Sequence, residues 1–197
     1  LIVPSNEQGA GFMASGYARS SGKPGVVMVT SGPGATNTVT PVRDAMADSI
    51  PMVIICGQVS RQSIGSDAFQ EAPITSVMGS VAKHVFLVTN ENKLAATLKA
   101  AFEIAKSGRP GPVVVDIPKD IQTAEISSED YEDANIAAYS NRILAIEESR
   151  LSQEKSSEFF EHLSNSKKPL IYFGGGVISA NASKELREFI DYFNLPA

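Results

Sequence analysis

The sequence predicts an α/β fold built on a doubly wound parallel sheet, and three observations predict it. Apolar runs of strand length recur at residues 25–29, 51–56, 85–88 and 112–117, and they are apolar throughout instead of alternating, as strands covered on both faces are. Segments of helical length lie between them. The glycine-rich stretch Ser31-Gly32-Pro33-Gly34-Ala35-Thr36-Asn37 joins a strand to a helix, which is the joint a βα unit needs.

Residues 6–20 form the first expected helix, headed by Glu7 and rich in small residues (Gly9, Ala10, Gly11, Ala14) against which something can pack closely. The strand at 25–29 follows, then a helix at 37–47 and the strand at 51–56. The helix at 92–106 places Leu94, Leu98, Phe102 and Ala105 on one face and stops at Gly108. From about 122 to 149 the composition turns to Glu, Asp, Ser and Ala, as in Ser127-Ser128-Glu129-Asp130, and apolar periodicity fades as in a tether. The expected organisation is a first domain at 1–123, a linker at 124–150 and the opening of a second α/β domain at 151–197. In that last part a helix at 151–164, a buried strand at 169–173, a tight turn at Gly174-Gly175-Gly176 and a helix at 182–193 are expected.

Composition excludes several classes. The chain has 197 residues, 43% of them hydrophobic, and a formal charge of −5. No apolar run approaches the roughly 18 residues a membrane span needs. The net negative charge and the lack of a Lys/Arg cluster argue against nucleic acid as a partner. Cys56 stands alone and cannot close an internal disulfide, and with only His84 and His162 beside it a zinc site is disfavoured. Leu1-Ile2-Val3-Pro4 offers no initiator Met and no signal peptide, and Asn194-Leu195-Pro196-Ala197 resembles the entry to another strand, so the chain reads as a fragment.

The candidate chemistry lies in a few places. The Ser31 to Asn37 turn can hold an anion or a polar heterocycle on backbone N–H groups, or its glycines can be steric only; it has neither a P-loop lysine nor a dinucleotide fingerprint. Gly174-Gly175-Gly176 carries the same two readings. Glu7, in the first helical turn, is either a solvated acid favoured by the helix dipole or a carboxyl in small, apolar surroundings that disfavour its ionised form and let it share a proton with a bound ring. Ser66-Asp67-Ala68-Phe69-Gln70-Glu71 reads as a pocket wall or a helix cap, and Lys83 as a ligand contact or a snorkelling side chain.

Taken together, Glu7-Gln8-Gly9-Ala10, Gly16-Tyr17-Ala18-Arg19, Thr30 through Asn37, Asp48-Ser49-Ile50-Pro51, Gly57-Gln58-Val59, Asp67 through Glu71 and Gly108-Arg109-Pro110-Gly111-Pro112-Val113 resemble the pyrimidine-binding domain of thiamine-diphosphate-dependent decarboxylases and carboligases. Ile64 through Glu71 with Pro118-Lys119-Asp120-Ile121 is most similar to the acetolactate synthase branch. Lys167-Lys168-Pro169 through Gly176 resembles the start of that branch's central, FAD-binding domain. The resemblance implies condensation of two pyruvates to 2-acetolactate and carbon dioxide, or of pyruvate with 2-oxobutanoate, on the way to valine, leucine and isoleucine. Alternatives are a sister carboligase or oxidase, such as sulfoacetaldehyde acetyltransferase or pyruvate oxidase, or a noncatalytic binding module.

By that resemblance, Glu7 matches the glutamate that exchanges a proton with the coenzyme's ring nitrogen N1′. Ser49 and Gln70 match coenzyme contacts, with Gly32, Gly34 and Asn37 in the cradle. Phe69, Lys83 and Lys119 match the wall of the substrate channel, and Arg109 and Gly175 match FAD contacts. Mg²⁺ would be held by a motif outside this chain, so the isolated fragment is expected to be inactive. A homodimer or homotetramer, a regulatory subunit, and a cytoplasmic location (mitochondrial or plastid in a eukaryote) are also implied. Two departures stand out: Asn6 occupies the place of the family's usual His, and Ser60 that of a frequent Pro.

Overall fold

Helix α1 (Glu7–Ser21) begins where the sequence supplies a cap: Asn6 is extended, and its Oδ1 accepts from the Gly9 N–H at 2.7 Å. It ends at Gly22, whose φ of 69° suits glycine and whose N–H donates to the Ala18 carbonyl. The computed structural model describes residues 1–126 and 151–197 and divides the chain into two units, Leu1–Ser149 and Arg150–Ala197. The Glu/Ser-rich stretch expected to act as a linker falls mostly on residues 127–150, outside the described residues.

In the first unit, β1 (Gly25–Val29), β2 (Met52–Gln58), β3 (His84–Leu87) and β4 (Pro112–Pro118) pair in parallel in the order β1-β2-β4-β3. Between them run α2 (Pro33–Thr36), α3 (Val39–Ala47), α4 (Ile74–Gly79), α5 (Leu94–Lys106) and, after β4, α6 (Lys119–Gln122). β2 and β4 are the inner strands, each paired on both sides over most of its length, and their side chains feed two cores. Met52, Ile54, Cys56 and Val114 join Ala14, Val42, Ala45 and Met78 on one face, and Val53, Val113 and Val115 join Ala101, Ile104 and Ala105 on the other. Helices therefore cover both faces, as expected of a doubly wound sheet. The small residues of α1 serve this layer: a Cβ on Gly11 would overlap Pro41 of α3, so one neighbour that packs closely on α1 is another helix.

The second unit holds α7 (Gln153–Asn165), α8 (Gly175–Ser179) and α9 (Ser183–Phe193). Ser152 caps α7, and Phe159, Phe160, Phe189 and Phe193 pack ring to ring between α7 and α9. Two expectations are corrected here. Residues 169–173 are neither a strand nor buried: Leu170 is 70% and Tyr172 99% exposed, and the Ile171 N–H has its bond with the Pro196 carbonyl at 2.9 Å. A strand exists only with a ladder partner, and among the described residues of this unit no second strand is present to pair with it. Gly174 to Gly176 is not a tight turn either, because Gly175 and Gly176 are the first residues of α8.

Candidate functional site

Parallel strands end on one common edge, and the segments leaving them converge there. α1 leads into β1 through a short turn, so its first residue, Glu7, also lies at this edge. Here the Asn37 side-chain N–H donates to Glu7 Oε2 at 3.0 Å. A Cβ on Gly34 would stand 2.7 Å from Thr30 Cγ2 and 3.8 Å from Glu7 Oε1, so glycine keeps the space beside the carboxyl open. Gly32 has a φ of 57°, and a Cβ there would overlap the Gln70 carbonyl. The turn between Ser31 and Asn37 thus touches Glu7 on one side and Gln70 on the other, which gives its glycines a steric job at the candidate site. Gly32→Ala is expected to lower stability by about 2 kcal/mol through the unfavourable φ and the displaced Gln70 backbone. An unchanged thermal midpoint would show that the turn relaxes freely.

The ionisation of Glu7 departs from expectation. The carboxyl is held below its ordinary range, first by the Asn37 side-chain N–H and then by the Glu7 backbone N–H; desolvation, which acts the other way, is the weakest influence. The sequence suggested apolar surroundings that disfavour the ionised form. In this chain those surroundings are helix backbone and Asn37, and the carboxylate is the favoured state. Beside it a cleft of about 280 Å³ opens among Pro4, Glu7, Ala10, Val29 and Thr30. A second, of about 420 Å³, runs along the same edge past Ser31, Gly57, Gln58, Lys119 and Gln122.

The loop after β2 reaches the same edge. Its segment from Gly65 to Glu71 closes on itself, because the Glu71 carboxylate accepts from the Gly65 N–H at 2.5 Å and the Ala68 N–H at 3.1 Å. It is therefore not a helix cap; α4 starts at Ile74 without a side-chain cap. Gln70 and Asp67 both have positive φ, and Phe69 stands 88% exposed at the loop tip. A large ring held out in water is a candidate wall awaiting something to cover it.

The other expected residues lie elsewhere. Ser49 and Arg109 sit just ahead of β2 and β4, at the opposite edge of the sheet, where the Arg109 Nε donates to Ser49 Oγ at 2.8 Å and its Nη2 to the Met46 and Ala47 carbonyls at 2.9 Å each. Lys83, just ahead of β3, sends its ammonium to the Ile104 and Ser107 carbonyls at the end of α5, where a cation meets the negative pole of the helix. The structure does not bring Ser49, Arg109 or Lys83 to Glu7 and Gln70. Gly175 belongs to the second unit, with no neighbouring atom within 4 Å of the place a Cβ would occupy.

Sequence reasoning missed two polar links at the site's edge. Arg61 binds both oxygens of Asp120, at 2.9 Å through its backbone N–H and 2.6 Å through Nε, and reaches the Thr89 carbonyl at 2.8 Å. Gln58 binds the buried Asp116 at 2.9 Å. The signal for the second was present: Asp116 is the one charged residue in an otherwise apolar strand, and a buried carboxyl needs a partner.

This geometry can be set beside known proteins. Residues 1–80 match the family described as thiamine pyrophosphate enzyme, N-terminal TPP binding domain, and residues 156–197 match the thiamine pyrophosphate enzyme central domain. The chain belongs to the thiamine pyrophosphate enzyme family. Within that family it is 46% identical over 195 residues to the acetolactate synthase large subunit of Corynebacterium glutamicum, covering 99% of this chain and 30% of that protein. It is 46% identical over 197 residues to the chloroplastic acetolactate synthase of Arabidopsis thaliana, covering 99% of this chain and 28% of that one. The mitochondrial acetolactate synthase catalytic subunit of Saccharomyces cerevisiae is 43% identical over 198 residues, with 100% and 29% covered. The chain thus spans about 30% of the length of these thiamine pyrophosphate enzymes.

Proposed function

We propose that the chain is the pyrimidine-binding part, with the start of the central domain, of an acetolactate synthase catalytic subunit. The complete enzyme condenses two pyruvates to 2-acetolactate and carbon dioxide, or pyruvate with 2-oxobutanoate to 2-aceto-2-hydroxybutyrate. The observation that carries this is a carboxylate at the head of α1, fixed by Asn37 and kept open to a ligand by Gly34, in a chain about 45% identical to acetolactate synthases.

Thiamine diphosphate, when bound, supplies the carbon that adds to the 2-oxo acid and accepts the electrons left as carbon dioxide departs. The residues here fit its pyrimidine ring. Glu7 would hold a proton at a carboxyl oxygen and pass it to the ring nitrogen. Asn37 keeps one of those oxygens oriented, which leaves the other toward Gly34. Gln70 and Phe69 stand across the Ser31 to Asn37 turn, as a coenzyme contact and a channel wall. Burial of Glu7 by a second protomer and by the coenzyme would raise its proton affinity above what this chain alone gives it. Phe12, Met13 and Tyr17, exposed along α1, suit a homodimer or homotetramer with that arrangement. A regulatory subunit, and a cytoplasmic, mitochondrial or plastid setting, belong to the same proposal.

FAD and Mg²⁺ complete the proposed cofactor set. Arg109 and Gly175 are the proposed FAD contacts, but Arg109 commits two nitrogens to its own chain and Gly175 faces open space, so neither forms a flavin cradle by itself and no step runs through FAD here. For Mg²⁺, no group of three His, Cys, Asp or Glu side chains clusters among the described residues, and its ligands would come from beyond them. Lys83 and Ser49 stay proposed channel and coenzyme contacts of the complete assembly. None of the described helices is long and apolar enough to cross a membrane.

The test is direct: full-length protein with pyruvate, thiamine diphosphate, Mg²⁺ and FAD is assayed for 2-acetolactate. Formation of acetyl phosphate, hydrogen peroxide or no product instead would reject this assignment in favour of an oxidase, a sister transferase or a binding module.

Ser60 adds a prediction about inhibition. Its φ of −58° is already what proline requires, and its Oγ bonds that of Ser63 at 2.9 Å. Ser60→Pro should therefore fold, gaining about 0.5 kcal/mol through a stiffer unfolded chain while losing one half-buried hydroxyl contact. It should also bind channel-blocking sulfonylureas more tightly than the natural protein. Equal inhibition constants for the two proteins would reject that expectation.

A further inference from the structure

The far end of β2 closes on a buried amide, Gln58. Gln58 is 6% exposed, and each polar group of its amide has a partner. Its Nε2 donates to Asp116 Oδ2 at 2.9 Å and to the Ala72 carbonyl at 3.3 Å, and its Oε1 accepts from the Val59 N–H at 2.8 Å. Asp116, on the adjacent strand β4, is 1% exposed, and its Oδ1 has no hydrogen-bond partner. Ordinary packing would not choose this arrangement: the position lies between Val115 and Ile117, and an apolar side chain there would cost no desolvation.

What the pair does is visible in its third partner. Ala72 follows Gln70 and Glu71 directly, and its carbonyl is where the loop from β2 returns to the sheet. Two residues back from Ala72, the same end of the loop rests on the Ser31 to Asn37 turn, through the contact between Gly32 and the Gln70 carbonyl. A loop whose last residues are tied at Ala72 to a buried amide and lie at Gln70 against a glycine has that end set relative to Glu7. We propose that Gln58, oriented by Asp116, is a positioning residue that anchors the base of the 65–72 loop and so fixes where Gln70 and Phe69 stand over the candidate site.

Asp116 holds the amide in one orientation, with its N–H groups toward the carboxylate and the Ala72 carbonyl, and Val59 fixes the opposite face. Removing the donor takes away the side-chain tie from β2 and leaves the Ala72 carbonyl with the Ile74 N–H at the head of α4, at 2.8 Å. The loop's internal closure by Glu71 would survive, so it would move as a body rather than unravel. The proposal rests on the reading that Gln70 contacts the coenzyme for its catalytic consequence, but not for the anchoring itself.

The experiment uses the full-length enzyme and the near-isosteric Gln58→Met, which keeps the core filled. Hydrogen exchange followed by mass spectrometry should show amides 65–72 exchanging about tenfold faster, the loss of roughly one hydrogen bond, while peptides from β2 and β4 keep their protection. Asp116→Asn, which retains an acceptor for Gln58, should keep the loop protected. Unchanged exchange of the loop in Gln58→Met, or a uniform rise across the sheet, overturns the anchoring. Coenzyme affinity is then measured for Gln58→Met, Gln70→Ala and the double variant by titration with thiamine diphosphate and Mg²⁺. If Gln58 acts through Gln70, the double variant binds no more weakly than Gln70→Ala alone; additive losses overturn the link to Gln70. A Gln70→Ala protein with unaltered affinity would instead reject Gln70 as a coenzyme contact and leave the exchange result standing, so the two failures are separable.

Discussion

Glu7→Gln should lower kcat of the full-length enzyme by about 10²- to 10⁴-fold at saturating coenzyme, the range for losing a positioned proton-transfer group. The substitution preserves shape. Glutamine can still accept the Asn37 N–H through its carbonyl oxygen, so the head of α1 stays in place, but it cannot ionise and has no proton to exchange with a ring nitrogen. Asn37→Ala is the informative companion. It removes the strongest influence holding the Glu7 carboxyl down, so proton affinity rises toward the ordinary carboxylate range while the acid remains. Its loss of activity should stay within about tenfold, one ordinary hydrogen bond. Comparable losses in both variants would mean that Glu7 orients and does not transfer, and an active Glu7→Gln enzyme would remove Glu7 from the chemistry.

How far the sequence carried this reading follows from the range of each interaction. Strands β1, β2, β3 and β4 were legible because a buried parallel strand needs a continuous apolar run, and each run sits within a few residues of its final position. The run at 169–173 has the same composition and failed, because a strand is completed by a partner that local composition cannot supply. Glu7 was legible as a residue and illegible as an acid. Its identity came with a recognisable stretch of neighbours, but its proton affinity depends on Asn37, which chain folding brings to it from the far side of β1. Lys83 shows the converse: the residue matched a pattern, while its ammonium is drawn to the carbonyls that end α5. Gln58 and Asp116 belong to adjacent strands and are far apart in sequence, so their pairing emerges only once β2 and β4 are known to be neighbours.

That buried pair gives the second large expected effect, a stability that falls as pH rises. Burial pushes the Asp116 carboxyl up to about 6, and the Gln58 hydrogen bond, the lesser influence, pulls the other way. The thiol that faces it across the sheet, Cys56, is pushed up to about 12 and stays neutral throughout. The folded state therefore holds a proton on Asp116 more tightly than the unfolded chain, whose aspartate titrates near 4. Its contribution is fully present below that unfolded value and is lost as pH climbs through about 6, the reverse of a salt-bridged aspartate. Two pKa units correspond to about 3 kcal/mol, of which roughly half disappears between pH 5 and pH 8. Asp116→Asn has no proton to lose. It leaves a buried N–H in place of the unpartnered Oδ1, at a cost of about 1–3 kcal/mol that does not vary with pH. The measurement is the difference in unfolding stability between the two proteins, taken in the same buffers from pH 5 to pH 8. That difference should move in favour of Asp116→Asn by about 1–2 kcal/mol as pH rises, because every other titrating group is common to both. A constant difference would mean that Asp116 ionises in the fold as it does in water, and that water or another group satisfies Oδ1.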